Sequence, residues 1–301
     1  MRRILFILLA GLLLFGCFGI GGGKPTGGGT TPQVPGTTPP AETCTPSYTF
    51  SELSTGTLSK TATLVATVTC AAGKTLDVTL DGQSVMTAGA TTNATTPIEL
   101  EFAPTKDGTV KVEVKSDGET VLSRDWSVRP LGNEDTGGLD TDGVSFKEWR
   151  AMALDVENAI TPGKVKIFMK RMTFKTQEGT TIVVEIRSDN GGKPGNVVSS
   201  VTKPFTIATQ TDNWISFEFD QKPTLSPGKY WVVMRVEQTE DVNLVSDVAY
   251  VHYSVIDKQS PGNDYTREMK LSVNEQTGFA SETSWQPLTY DREYSLILTS
   301  G

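Results

Sequence analysis

The sequence predicts an all-β chain: two antiparallel β-sandwich domains behind a leader and a disordered tether. Three observations carry this. Short runs alternate apolar and polar residues, the period of a half-buried strand. Turn signals separate them at Asp81-Gly82, Asp107-Gly108, Asp117-Gly118 and Ser226-Pro227-Gly228. The composition, 29 Gly and 16 Pro in 301 residues with many Thr and Val, favours strands and turns over helices.

The chain begins with Arg2-Arg3, then an almost wholly apolar run from Ile4 to Phe15. That run is too short to span a bilayer as a mature helix but suits the apolar region of a secretory leader. It closes on Gly16-Cys17, which resembles a lipobox, the cleavage and lipidation site of prokaryotic lipoproteins. The resemblance implies removal of residues 1–16 and a lipid on Cys17. Residues 17–43 then run through Gly, Thr and Pro with almost nothing to bury, so they cannot offset the entropy of ordering and should form a flexible spacer. Its Thr/Pro content also suits O-glycosylation. Two acyl chains hold a protein to a bilayer far more firmly than one. The expected location is therefore the extracytoplasmic face of the cell membrane, with the lipid membrane as a partner.

Two cysteines remain, Cys44 and Cys70. In an extracytoplasmic setting the pair reads as a disulfide, worth about 3 kcal/mol by chain entropy. A metal site lacks partners, because the one histidine, His252, lies far away in sequence.

Residues 44–130 read as the first sandwich. Leu64, Ala66, Val68 and Cys70 share a face; so do Leu76, Val78 and Leu80; so do Ile98, Leu100 and Phe102; so do Val110, Val112 and Val114. A last strand, Val121 to Val128, carries Trp126. The stretch FAPTKDGTVKVEVKSDGETVLSRDWSV resembles the closing strands of immunoglobulin-like domains of prokaryotic surface proteins. The cysteines depart from the antibody pattern: their bond would not link two sheets. Asn93-Ala94-Thr95 is an N-glycosylation sequon.

Residues 131–143 read as a polar linker. Within it, Asp140-Thr141-Asp142-Gly143 raises calcium as a cofactor, but EF-hand spacing fails, with Gly138 at the first position and Trp149 at the twelfth. A solvated turn is the other reading.

Residues 144–301 read as the second sandwich. Phe146 to Asn158 leaves a helical turn and a strand both open. Val165 to Phe174 is apolar-rich, and Ile182 to Ile186 is apolar on both faces apart from Glu185. In Trp214 to Asp220, Ile215, Phe217 and Phe219 share one face, and Trp214, Ser216, Glu218 and Asp220 the other. Tyr230 to Val236 is another central strand; Ala249 to Ile256 and Tyr294 to Leu298 complete the set.

Three segments, VEIRSDNGGKPGNVVSS, WISFEFDQKPTLSPGKYWVVM and SWQPLTYDREYSLIL, together resemble the choice-of-anchor R domain of prokaryotic surface proteins. The resemblance implies a jelly-roll-like sandwich on surface-anchored proteins, with no catalytic residues. No apolar segment follows the last strand, so the N-terminal lipid is expected to take the place of a C-terminal anchor.

The charge, 27 basic against 35 acidic residues, contains no basic patch and argues against nucleic acid. The Gly191-Gly192-Lys193 loop is no phosphate grip, because Lys193 precedes Pro194 and strand-like sequence follows where a helix would be needed. The βαβ periodicity of solute-binding lobes is missing. Glu218 and Asp220 sit about 7 Å apart on one strand face, a spacing open to a glycosidase pair and, more simply, to a solvated sheet face. His252 reads as structural. Among the aromatics, core packing claims most. Trp214 and Trp285, at strand starts or in loops, together with Tyr290, are the candidates for stacking on sugars. The expectation is a non-catalytic surface lipoprotein serving adhesion, envelope structure or binding of a partner protein, with glycan binding as the alternative.

Overall fold

The computed structural model describes residues 44–90, 95–136, 140–144, 148–171, 181–204, 212–237, 249–255, 268–272, 285–287 and 292–301. Cys17, the tether, Asn93 and Tyr290 lie outside them. Every described segment of regular structure is a strand.

The first sandwich runs β1 (Ser47–Phe50), β2 (Gly56–Thr57), β3 (Ala62–Thr69), β4 (Thr75–Leu80), β5 (Gln83–Gly89), β6 (Thr96–Phe102), β7 (Gly108–Ser116) and β8 (Glu119–Arg129). A three-stranded sheet, β1-β3-β6, faces a five-stranded one, β2-β8-β7-β4-β5. The alternating apolar sets meet between them: Leu64, Leu76, Val78, Leu100, Val112 and Val114 are fully buried. Each such side chain stabilises the fold by about 1.5–3 kcal/mol. Two of the three Asp-Gly pairs make two-residue hairpins, with φ of 49° and 83° at Asp81-Gly82 and 49° and 89° at Asp117-Gly118; Asp107-Gly108 lies where the chain passes from one sheet to the other. Both central residues of such a turn need positive φ, which Asp and Gly tolerate. The Lys74 ammonium donates to Asp117 at 2.6 Å and holds that carboxyl below its usual range. Cys44 and Cys70 are bonded, Cα atoms 5.6 Å apart, beside the Ser47↔Thr69 pair. The bond therefore ties β1 to β3 within one sheet.

The second sandwich contains β9 (Leu131–Asn133), β10 (Asp140–Val144), β11 (Glu148–Val156), β12 (Lys164–Arg171), β13 (Thr181–Asp189), β14 (Pro194–Pro204), β15 (Asn213–Glu218), β16 (Gly228–Val236), β17 (Ala249–Val255), β18 (Glu268–Ser272), β19 (Gln286–Pro287), β20 (Arg292–Tyr294) and β21 (Leu296–Thr299). One sheet has the order β14-β13-β16-β11-β18-β19. The other has the order β10-β17-β12-β21-β9, with β15 added beside β12 and β20 beside β17. Between the sheets Ile167, Ile182, Val184, Ile186, Phe217 and Val232 are buried to 0–1% exposure.

Both ends of the stretch read as a polar linker are strands of the second sandwich. Leu131 is fully buried and pairs with Leu298, while Asp140–Val144 pairs with β17. Only Pro130 separates the last strand of the first sandwich from β9. Gly132 makes this possible: at φ 128° it passes so close to β21 that a Cβ would meet the Leu296 carbonyl oxygen. Likewise Asp140-Thr141-Asp142-Gly143 forms no turn; its backbone runs as a strand in antiparallel register with β17. Residues 148–156, left open between helix and strand, are strand β11.

Candidate functional site

Two outward faces of the second sandwich concentrate chemistry. The first lies on β12 and β15. Ile215 and Phe217 point inward, so alternation sends Trp214, Ser216 and Glu218 outward. On β12, Val165 and Ile167 point inward and Lys164, Lys166 and Phe168 outward. The antiparallel register then sets Phe168 opposite Trp214, Lys166 opposite Ser216 and Lys164 opposite Glu218.

The two rings form a tilted pair, centroids 5.5 Å apart at 52°, both half-buried. Among the described residues β15 pairs only with β12. Lys203 reaches across from β14 and donates its ammonium to the Ser216 carbonyl at 2.9 Å. Lys164 and Lys166 are half-buried and make no ion pair among the described residues; Glu218 is exposed. The result is a strip of two flat rings followed by two rows of polar groups, each row about 7 Å from the last.

The second face lies on the other sheet, turned away from the core. There Val183, Glu185, Arg187 and Asp189 of β13 line up beside Trp231, Val233 and Arg235 of β16, and Trp149, Ala151 and Ala153 of β11. Glu185 accepts from Arg187 at 2.7 and 2.6 Å and from Arg235 at 2.9 Å. Both guanidiniums stack over Trp149, 5.8 and 5.2 Å from its centroid, and Trp149 meets Trp285 edge-on at 6.3 Å. Trp231 donates its indole N–H to Asp189 at 2.7 Å. This face is buried: Glu185 and Arg187 are each 3% exposed, Trp231 0% and Trp285 1%.

Trp285 is thus no sugar platform. Its ring is core, packed with Trp231, Val233, Ala151 and Ala153. Its position ahead of a two-residue strand made it look accessible, and the burial of this second face overrides that. Trp149 and Trp231 are packing aromatics, as core packing predicts for most of them.

The glycine loop is the hairpin between β13 and β14. Asn190 N–H donates to the Lys193 carbonyl at 2.8 Å, and Gly192 N–H to the Asp189 carboxylate at 3.1 Å, with Gly191 and Gly192 at φ 64° and 84°. Asp189 therefore serves both the turn and Trp231. Glu218 ends β15 and Asp220 lies in the bend beyond it, both exposed. Phe168 and the two lysines are the residues that sequence reading missed. Their signal was the Lys-x-Lys-x-Phe alternation on β12, hidden inside an apolar-rich run.

The chain matches no family model and no curated protein sequence. Among solved structures it is similar to SGBP-B from a complex xyloglucan utilization locus in Bacteroides uniformis, at 15% identity over 67% of this chain and 70% of that one, with a TM-score of 0.25. It is also similar to a structure from work on the promiscuous specificity of carbohydrate-binding modules of the β-sandwich superfamily, at 14% identity over 65% of this chain and 100% of that one, TM-score 0.18. Likeness of this degree carries no argument about the site, which rests on the strand register alone.

Proposed function

We propose that this is a non-catalytic, lipid-anchored protein of the cell surface whose second sandwich binds glycan on the Phe168–Trp214 face. One observation carries the reading: two aromatic rings pair on an outward sheet face and are followed by hydroxyl, ammonium and carboxylate groups that no described residue engages through its side chain. Flat rings take the C–H face of a sugar, and the polar rows take its hydroxyls. The leader, Cys17 and the tether support the anchored location, and the choice-of-anchor resemblance agrees with it.

A glycan array probed with the purified chain is expected to give binding that Phe168→Ala with Trp214→Ala weakens about 30-fold, the loss of roughly 2 kcal/mol of ring stacking. Unchanged binding in that variant, or silence over the array, counts against the reading. Separately, Cys17→Ser is expected to abolish fatty-acyl labelling and move the chain from the membrane to the soluble fraction. Labelling that persists in Cys17→Ser removes the anchor.

A second reading, binding of an envelope protein by strand addition, is favoured by β14. Among the described residues it is a sheet-edge strand, with Val197 and Val198 exposed at 50% and 43%. Val198 is the extra residue of a bulge opposite Ile186 and Arg187, which interrupts the edge and ranks this reading second.

A further inference from the structure

We infer that Asn190, at the tip of the β13–β14 hairpin, is a self-modifying residue: in the folded chain the Gly191 backbone nitrogen attacks its carboxamide and converts it to aspartate and isoaspartate. The sequence holds one Asn-Gly pair, and this is it. Attack on the side chain closes an imide ring, and the residue after the asparagine decides how easily the nitrogen gets there. Asn158, Asn196 and Asn213 precede Ala159, Val197 and Trp214, whose side chains crowd the nitrogen. Gly191 has no side chain, and a Cβ built there would meet nothing within 4 Å.

The hydrogen bonds of the turn single out the same nitrogen. The Lys193 carbonyl takes the Asn190 N–H at 2.8 Å, and the Asp189 carboxylate takes the Gly192 N–H at 3.1 Å. These bonds hold the chain on either side of the Asn190-Gly191 link. Among the described residues nothing accepts from the Gly191 N–H or bonds the Asn190 carboxamide. Asn190 is exposed, so water reaches the imide once it forms.

Turn geometry does not account for the asparagine. Asparagine suits turns because it tolerates positive φ. Here Gly191 and Gly192 carry the positive φ, at 64° and 84°, and Asn190 does not. The Asp-Gly hairpins make the contrast. Asp81 accepts the Lys111 N–H, and Asp117 accepts from Lys74 and from the Thr75 N–H. A carboxyl must also be protonated before it can lose water to an attacking amide, and the bond from Lys74 holds Asp117 below its usual range.

The step needs only water. The bond from the Gly191 nitrogen to Asn190 Cγ forms and the Cγ–Nδ2 bond breaks. The departing amide group takes up the proton lost by Gly191 and leaves as ammonia. Water then opens the imide. Opening at Cγ leaves aspartate. Opening at the main-chain carbonyl of Asn190 leaves isoaspartate, with the chain routed through the side chain and one methylene longer. No electrons are exchanged. Either product adds a carboxylate beside Asp189, the acceptor of the buried Trp231 indole.

Ageing of the purified full chain tests this. The chain is held folded at mildly alkaline pH, sampled over days, and mapped by peptide mass and by isoaspartyl methyltransferase labelling. A second sample in denaturant gives the rate of the unfolded chain. The Asn190 peptide is expected to split into aspartyl and isoaspartyl forms about tenfold faster than the peptides of Asn158, Asn196 and Asn213, and within about tenfold of its unfolded rate. Asn190→Gln, whose ring would be larger and slower to close, should abolish the conversion and the acidic charge variant, with the melting temperature unchanged. An Asn190 that converts more than about tenfold slower folded than unfolded overturns the inference, because the hairpin then shields it. So does a rate no higher than that of the other three asparagines, or isoaspartate that persists in Asn190→Gln at the same level.

Discussion

Glu185→Gln is expected to destabilise the second sandwich by about 3–5 kcal/mol, although it changes one atom's identity and almost no volume. Glu185 stands in the middle of β13, on a sheet face buried almost as deeply as the core, with 4% of its side chain exposed. It is the shared acceptor for Arg187 and Arg235, and the two guanidiniums then sandwich against Trp149. The amide cannot supply the charge that offsets the buried Arg187 guanidinium and the partly buried Arg235 one. Loss of one member of a buried pair costs far more than the pair contributes net, because the partner's desolvation stays uncompensated. The surface pair of Arg124 and Glu52 is the control. It closes to 3.2 Å, but Glu52 is 94% exposed, so Glu52→Gln should cost below about 1 kcal/mol. Thermal melts separate the two, with a fall of about 10 °C for Glu185→Gln against 1–2 °C for Glu52→Gln. Equal shifts would mean that the cluster is wetter and weaker than its burial implies. Simultaneous replacement of Glu185, Arg187 and Arg235 by apolar residues should recover much of the loss, which a simple packing defect would not allow.

That cluster also shows how far the sequence could be read. Period-2 alternation found the inner faces of β3, β4, β6, β7 and β15, and two Asp-Gly pairs found hairpins, because both signals are local. Alternation reports which side chains face the core; it does not report whether the other face is covered. Glu185 and Arg187 on one apolar strand and Arg235 on another were the available clue, since charges on a strand buried on both faces must pair. The pairing needs the β13–β16 register, which joins Glu185 to Val233 across some 48 positions and cannot be read from spacing. Trp285 failed for the same reason. Trp214 was legible as the outward start of a Phe-x-Phe strand, but Phe168 and the lysines become its neighbours only through the β12–β15 register. Leu131 was misread because its polar surroundings outvoted one apolar side chain, and the open edge of β21 is a tertiary fact.

The second large effect expected is on the joint between the sandwiches: Leu58→Ala should destabilise the second sandwich, from a position in the first. Leu58 follows β2, which pairs in parallel with Val128 and Arg129 of β8, and its own N–H donates to the Arg129 carbonyl at 2.8 Å. Its side chain nonetheless belongs to the second core, fully buried with Leu131, Ile160, Leu225 and Val165. Ser59 locks this placement. At φ 73° it is one of few non-glycine residues with positive φ, and its hydroxyl takes the Glu157 and Asn158 N–H groups at 2.8 and 3.1 Å. Lys60 pairs with Glu157 at 2.9 Å, and at a second point Asp107 accepts from the Ser300 N–H and hydroxyl, each at 2.6 Å. Two polar clasps and a shared apolar plug leave little freedom for one sandwich to melt without the other. A single calorimetric transition is therefore expected for residues 44–301. Leu58→Ala should lower it by about 2–4 kcal/mol and raise hydrogen exchange at Ile160 and Leu225, which bond to each other through both N–H groups. Two separable transitions, or exchange raised only around β2 and β8, would show that Leu58 stabilises its own sandwich alone. If the coupling holds, residues 44–301 unfold as one body, because the joint at Pro130 has no slack to give.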